Sequence, residues 1–347
     1  MKILITGNMG YIGPCIAKHL RQAYPKATLI GFDMGYFAAC LSNIEFLPEC
    51  KTDIQYFGDV RKIKRAILEG VDAIVHLSAI SNDPMGKTFE AVTMDINYRA
   101  SVELAKKAKE MGVKAFVFAS SCSMYGAAED SARTEKSKLN PLTTYARSKV
   151  FTERDIEKMA GDGFKVTSLR FSTACGMSPR LRLDLVLNDF VAGAIASKQI
   201  TILSDGTPWR PLINVTDMAR AIEWAISRDT KNGGKFLAVN VGSNEWNYQV
   251  KDLAYAVAEV ISNVEISINR NAAPDKRSYR VNFDYYKELA PNHQPKYNLI
   301  DTIEELSDGL QAMGFDDEKF RDSNYMRLNM LNQLRKKGLL NKNLEWV

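Results

Sequence analysis

Histidine is scarce in this chain. His19, His76 and His293 are the only three among 347 residues, far apart and without ligand spacing among themselves. A zinc site is therefore not expected, and no metal is assigned. Cysteine is also thin: Cys15, Cys40, Cys50, Cys122 and Cys175 give an odd count without a C-x-x-C pair. That excludes a disulfide scaffold and fits a reduced, cytoplasmic setting. No apolar run approaches the roughly 18 residues of a membrane span. The apolar stretch before Thr6 is too short for the core of a secretory signal. Charge of one sign is not in large excess, 46 Lys+Arg against 41 Asp+Glu, and no basic block stands out. Neither nucleic acid nor membrane is an expected partner. Repeats and low-complexity segments are missing too, which excludes collagen and coiled coil.

What is present is an alternation. Short runs rich in β-branched and aromatic residues predict strands at Lys2–Thr6, Thr28–Phe32, Ala73–Leu77, Ala115–Ala119 and Val166–Phe171. Amphipathic stretches between them predict helices over Tyr11–Ala23, Asp59–Glu69, Phe89–Met111 and Leu142–Met159. Such alternation builds a doubly wound α/β fold, a parallel sheet with helices on both faces. After about Phe171 the pattern loosens. Helices are expected near Leu185–Ala196, Val215–Ser227 and Asn324–Lys337, a turn over Ser204–Pro211, and one more strand of the main sheet at Phe236–Val241. The rest reads as a smaller mixed C-terminal unit.

Gly7, Gly10 and Gly13 lie between the first strand and the first helix, spaced G-x-x-G-x-x-G. Glycines there permit a tight turn and let backbone approach a pyrophosphate, while the helix N-terminus offers N–H groups and a positive dipole end. Asp33 follows the second strand, twenty residues past Gly13. A carboxylate there can accept bonds from both hydroxyls of an adenosine ribose and would repel a 2′-phosphate. With no Arg or Lys over Met34–Ala39, NAD is favoured over NADP; the alternative is a carboxylate that merely caps a turn. Asp59, in Gly58-Asp59-Val60, is placed to meet an adenine amino group or to cap a helix.

Tyr145 and Lys149 stand at i and i+4, on one face of a helix. A phenol near pKa ~10 is a poor base at neutral pH. A neighbouring ammonium would lower that value by favouring the phenolate. The spacing is common, so a simple surface contact stays open. Ser120, Ser121 and Ser123 end the strand at Ala115–Ala119, where a doubly wound sheet opens its ligand crevice.

Taken in order, T-G-x-x-G-x-x-G, Asp33, His76-Leu77-Ser78-Ala79, Ser121-x-x-Met124-Tyr125-Gly126, Tyr145-x-x-x-Lys149 and the Asp205–Ala219 segment resemble the extended short-chain dehydrogenase/reductases. More narrowly they resemble the NAD-dependent nucleotide-sugar epimerases and dehydratases, over roughly residues 1–285. The resemblance implies a Rossmann unit over 1–170, completed by about 211–242, and a substrate unit over 171–210 and 243–347. It implies NAD bound by Gly7, Met9, Gly10, Tyr11, Ile12, Gly13, Asp33, Asp59, Val60, Leu77, Ser78, Ala79, Ser120 and Phe171, together with Tyr145 and Lys149. Tyr145 would be the base that takes the sugar hydroxyl proton, Lys149 would hold the nicotinamide ribose and depress the tyrosine pKa, and Ser121 would hydrogen-bond the same hydroxyl. A nucleotide sugar would be met by Ser81, Ser121, Ser123, Thr173, Asn188, Arg210 and Arg277. Arg210 matches a diphosphate position, Thr173 stands where many 4-epimerases have asparagine, and Arg270 or Arg277 would replace a second arginine whose motif is missing in register. A homodimer through the two long helices is implied as well. Val92, Ile96, Val150 and Ile156 are its candidate face, or alternatively belong to the core.

Departures from the family pattern narrow the reaction. The 4,6-dehydratases carry Asp-Glu directly after the catalytic Ser/Thr, as the acid–base pair of elimination. Here Cys122 and Ser123 stand in those places. Relatives that epimerise at C3 and C5 use a cysteine at what is here Ser123, so Cys122 is expected to be a small packed residue. What remains is C4 oxidation and return through a 4-keto intermediate, with 4-epimerisation favoured. The alternatives are a 4-dehydrogenase or 4-ketoreductase, a 4,6-dehydratase, a reductase of small carbonyl compounds, and a redox-inert protein that senses NAD.

Overall fold

Alternating side chains on buried strands decide the architecture. In the first strand Ile3 and Ile5 point to one face and Leu4 to the other, and all three are fully buried, so both faces must be covered. The computed structural model describes every residue except 43, 128–130 and 273–276. The strands are β1 (Lys2–Thr6), β2 (Thr28–Asp33), β3 (Ile54–Phe57), β4 (Ala73–His76), β5 (Ala115–Ser121), β6 (Lys165–Phe171), β7 (Thr173–Cys175), β8 (Gln199–Ile202), β9 (Trp209–Asn214), β10 (Phe236–Val241), β11 (Asn247–Gln249) and β12 (Glu265–Ile268). The helices are α1 (Gly13–Ala23), α2 (Asp83–Thr88), α3 (Glu90–Met94), α4 (Ala100–Glu110), α5 (Thr144–Glu157), α6 (Val186–Ala196), α7 (Val215–Ser227), α8 (Val250–Val260), α9 (Asp284–Leu289), α10 (Leu299–Ala312) and α11 (Arg327–Lys336).

Seven strands form one sheet in the order β3-β2-β1-β4-β5-β6-β10, every neighbouring pair parallel. The order reverses between β1 and β4, which is where a doubly wound sheet opens its crevice. Helices α1 and α7 cover one face through Ile16, Leu20, Met218 and Ile222. Leu104 and Ala108 of α4 and Ile156 of α5 cover the other. The doubly wound fold expected from the alternation is the one observed.

Two helices depart from expectation. Asp59–Glu69 is not an α-helix but two 3-10 turns, Val60–Lys62 and Arg65–Leu68, with Ile63 and Lys64 extended between them. Four cations crowd this stretch at Arg61, Lys62, Lys64 and Arg65, and like charges three or four apart disfavour a continuous helix. The helix expected over Phe89–Met111 carries a π-helical turn at Asp95–Arg99 between α3 and α4. That turn brings fully buried Asn97 to Ile80, whose backbone N–H and C=O it engages at 2.8 and 2.9 Å. The extra residue of the π turn is thus tied to a loop at the crevice. Val92, Ile96 and Ile156 lie in the core, while Val150 stays half-buried.

The smaller unit has its own apolar cluster around α6, α8 and α10, with the short sheet β7-β9-β11 and the pair β8-β12. The C-terminal helix does something else. Met330, Leu331 and Leu334 of α11, with Leu340 and Leu344 beyond it, belong to the same cluster as β1, β2 and α4. The end of the chain therefore returns to the N-terminal half.

Candidate active site

Backbone geometry builds the first part of the site. Gly7 has φ +77°, and a Cβ on it would come within 2.7 Å of the Ser78 amide nitrogen. A Cβ on Gly13 would lie 2.1 Å from the Asn8 carbonyl oxygen. Only glycine lets the loop after β1 press against the loop after β4 and lets α1 begin so close to it. Ile12 gives α1 no side-chain cap and its first turn holds no acid, so its leading N–H groups stay available to an anion.

Asp33 ties this loop to the end of β2. Its Oδ2 accepts from the Met9 amide at 3.1 Å and its Oδ1 from the Gly35 amide at 2.7 Å. Burial raises its pKa, and those two bonds only partly offset the rise. Each carboxylate oxygen keeps lone pairs for a further donor. Asp59 accepts from the Arg61 backbone at 2.9 Å and pairs with its guanidinium, so it caps a turn and lines the crevice at once.

The result is a cleft open to solvent. Gly7, Gly10, Tyr11, Ile12, Gly13, Asp33, Asp59, Val60, Leu77, Ser78, Ala79 and Ser81 line it, all from the sequence expectation. Met9, Ser120, Phe171, Tyr145 and Lys149 do not line it; the first three are each about 5% exposed or less. Met34, Tyr36, Phe37, Ile80, Ile96, Ala174, Arg182 and Arg327 line it without having been singled out. Local sequence carries no signal for Arg327, which arrives from α11. Arg182 had one, in a loop of charged residues next to β7.

The reaction end is made of side chains. Thr143 caps α5 by accepting from the Ala146 amide, which fixes the first turn of the helix that carries Tyr145 and Lys149. Burial pushes the Tyr145 phenol up to about 12, with a hydrogen bond from Ser121 and the charge of Arg182 acting in the opposite direction. Lys149 Nζ sits 5.6 Å from the Tyr145 ring centroid but donates to the Ala119 carbonyl at 2.6 Å. Burial brings its own pKa down to about 7. In this arrangement Lys149 is not among the groups that move the Tyr145 pKa. Lys149 is buried while Tyr145 is half-buried, and the ammonium is spent on a carbonyl. Ser121 Oγ donates to Ser123 Oγ at 2.9 Å, so the two serines form one unit.

Other expected residues fall into three groups. Arg210 and Arg277 stand together, Arg210 donating to the Arg277 carbonyl and Arg277 pairing with Asp83 at 2.7 Å. Thr173 is half-buried on β7. Asn188 is a correction. It is fully buried, its Oδ1 accepts from the Gly176 amide at 3.1 Å, and its Nδ2 donates to Tyr11 Oη and the Arg182 carbonyl. With every polar atom used, Asn188 supports the loop and does not face a ligand. Residues 273–276, where the missing arginine motif falls, lie outside the described residues. Cys122 is 1% exposed, donates to the Arg170 carbonyl at 3.0 Å, and burial raises its pKa. His76 is also buried, bonded to Thr6 and Ser101, and burial holds it down at about 3. Among the described residues no cluster of His, Cys, Asp or Glu could hold a metal, and no helix is long and apolar enough to cross a membrane.

Comparison with known proteins decides the lineage. The profile of the NAD dependent epimerase/dehydratase family matches residues 3–242. The chain belongs to this family. A Bacillus subtilis protein, YtcB, named as an uncharacterized UDP-glucose epimerase, is 30% identical over 254 residues, 71% of this chain and 78% of that one. A UDP-glucuronic acid decarboxylase from Arabidopsis thaliana is 23% identical over 86% of this chain and 85% of its own. Among solved structures, TunA, an NDP-hexosamine 5,6-dehydratase, shares the fold with TM-score 0.77 and 21% identity, covering 91% of this chain and 99% of that one. MoeE5, solved with UDP-glucose and NAD, gives 0.75 and 22%, over 90% of this chain and 99% of its own. The protein is thus an NAD-dependent enzyme of epimerase/dehydratase type, and its cofactor is NAD. The residues present fit that group: a cradle that a Cβ would fill at Gly7 and Gly13, and a buried carboxylate after β2.

Proposed function

We propose that this enzyme acts on a nucleotide-activated sugar and inverts it at C4. Three side chains carry the reading, Tyr145, Ser121 and Lys149, together with what stands beside them. Where elimination needs an acid–base pair, the chain has buried Cys122 and the hydroxyl of Ser123. A thiol whose pKa is raised by burial and an alcohol are poor donors and acceptors at neutral pH. Bound NAD supplies the hydride acceptor and donor. Tyr145 Oη takes the O4 proton and later returns it, and Ser121 Oγ hydrogen-bonds the same oxygen. Lys149 orients the ribose and favours the phenolate. The phenol ionises only with help; Ser121 and the charge of Arg182 act in that direction, and Lys149 Nζ stands 5.6 Å from its ring centroid. Arg210 and Arg277 hold the diphosphate of the sugar nucleotide, and Ser81, Ser123 and Thr173 meet the sugar.

A homodimer through the outer faces of α4 and α5 belongs to the same reading. Tyr98, Val102, Val150 and Phe151 remain half-buried there, and light scattering at micromolar concentration is expected to give twice the monomer mass. The reaction is tested by mass spectrometry of co-purifying small molecules, followed by NMR of a nucleotide-sugar panel after incubation. Inversion at C4 with no net change in mass is expected. Loss of water or carbon dioxide would replace epimerisation by dehydration or decarboxylation, and inertness toward every nucleotide sugar would sink the reading.

A further inference from the structure

We propose that Arg327, carried by the C-terminal helix α11, joins Arg182 in gripping the diphosphate of the bound dinucleotide. The far end of the chain then sets how tightly the cofactor is held. The proposal rests on the cleft being the dinucleotide site and does not depend on which sugar is turned over.

Both arginines line the cleft beside Gly7, Gly10 and Asp33. Arg182 is 6% exposed and Arg327 is 1% exposed. Nη2 of Arg182 and Nη1 of Arg327 have no hydrogen-bond partner among the described residues. The other two nitrogens of Arg182 and Nη2 of Arg327 are engaged. Arg182 donates to Asp184 Oδ1 at 2.5 Å and Ser81 Oγ at 3.0 Å, and Arg327 donates to the Arg180 carbonyl at 3.3 Å. The Arg327 guanidinium lies 4.3 Å over the Phe37 ring. Counter-charge is short. Asp184 serves this pair, while Glu49 is held by Arg180 through both carboxylate oxygens at 2.8 Å. A buried cation with an unmade hydrogen bond is costly unless a ligand completes it. Two such donors, near the glycine loop and its helix N-terminus, fit a group with several anionic oxygens. Arg182 acts electrostatically on both Tyr11 and Arg327, which places the pair toward that loop. Arg210 and Arg277 occupy a separate position beside Asp83, so the dinucleotide is the better match for the first pair.

The chain end is fastened for this purpose. Trp346 Nε1 donates to the Met34 carbonyl at 2.7 Å, Lys62 pairs with Glu345 at 2.6 Å, and Arg61 donates to the Asn343 carbonyl at 2.9 Å. Tyr36 Oη donates to the Leu344 carbonyl, and Leu344 is fully buried. Those partners follow β2 and β3, the segments that carry Asp33 and Asp59.

The test is calorimetry on the full chain after dialysis of any co-purified dinucleotide, with NAD, ADP-ribose, adenosine and UDP as probes. Arg327→Met keeps the stem and removes the charge. It is expected to weaken NAD and ADP-ribose by about tenfold or more, leave adenosine and UDP within about twofold, and leave or raise the melting midpoint of the cofactor-free protein. Arg327→Lys, which keeps the charge without the fork, is expected to show the same selective loss, smaller in size, and carries the test should the methionine variant not fold. Proportional loss of adenosine means that Arg327 only packs the wall, and loss confined to UDP moves it to the substrate; either overturns the proposal. Indifference of NAD and ADP-ribose to both substitutions also overturns it. A wild-type chain that binds no ADP-ribose overturns the cofactor site itself and the proposal with it.

Discussion

The two parts of the candidate site, the cleft and the Tyr145 group beside it in the fold, are built from different material. At the cofactor end the decisive features are backbone: a glycine loop pressed against Ser78, a helix N-terminus, and Asp33 held by two amides. At the reaction end they are side chains whose proton affinities burial has moved, Tyr145 up to about 12 and Lys149 down to about 7. A backbone cradle is ready before its ligand arrives, because its shape is set by φ and ψ. A half-buried phenol and a buried ammonium are ready only when charge is brought to them. The first end is preorganised in geometry, and the second is poised in electrostatics.

The largest effect should come from breaking the reaction end. Tyr145→Phe removes one oxygen and is expected to cost roughly 10²–10⁴ in turnover while NAD binding survives. Ser121→Ala should cost less, since it deletes a hydrogen bond and not the base. Steady-state rates on an accepted sugar nucleotide, with calorimetry of NAD, check both. A fully active Tyr145→Phe would remove the reaction end from the argument.

Gly13→Ala attacks the cofactor end. With its Cβ at 2.1 Å from the Asn8 carbonyl, backbone must shift, and a loss of about 2–4 kcal/mol in stability is expected, with weaker NAD binding. Urea denaturation with and without NAD measures it. An unperturbed variant would mean that the loop is looser than its packing.

The pH dependence of stability separates the ends further. The Lys149 pKa is lowered, so between its folded value of about 7 and the ordinary lysine value the unfolded chain holds a proton that the folded chain gives up. Stability from this group rises with pH above about 7 and is lost as pH falls back toward it. The slope is up to about 1.4 kcal/mol per pH unit. Denaturation midpoints from pH 7 to 10 should show this rise in the wild type and a flatter profile in Lys149→Met. Identical profiles would mean that the ammonium is solvated after all.

At the cofactor end Asp33 is expected to favour NAD over NADP by at least about tenfold, roughly 1.4 kcal/mol, and Asp33→Asn to narrow the gap. Equal affinities in the wild type would place the ribose elsewhere. The smallest effect belongs to Cys122→Ser, which keeps a donor for the Arg170 carbonyl and should leave turnover within a few-fold. An inactive but folded variant would make the thiol a reacting group and reopen elimination.

Much of this molecule was legible in one dimension, for a local reason. Strand alternation, the glycine spacing, the acid after β2 and the Tyr–Lys pair are each written within a few residues, and β1, β10 and α7 follow the expected bounds. Local spacing failed where a neighbour overrode it. The run from Asp59 to Glu69 broke under its own like charges, and Asn188 was consumed by Tyr11 and Arg182. Sequence by itself determined the parallel sheet and the glycine cradle, because backbone conformation travels with the residue, and it supplied the candidate reacting groups proposed above. Only tertiary structure decided that Lys149 is drawn to Ala119 and that α11 returns to put Arg327 in the cleft. Burial and long-range approach set proton affinities and complete binding sites, and neither is encoded at the residue it acts upon.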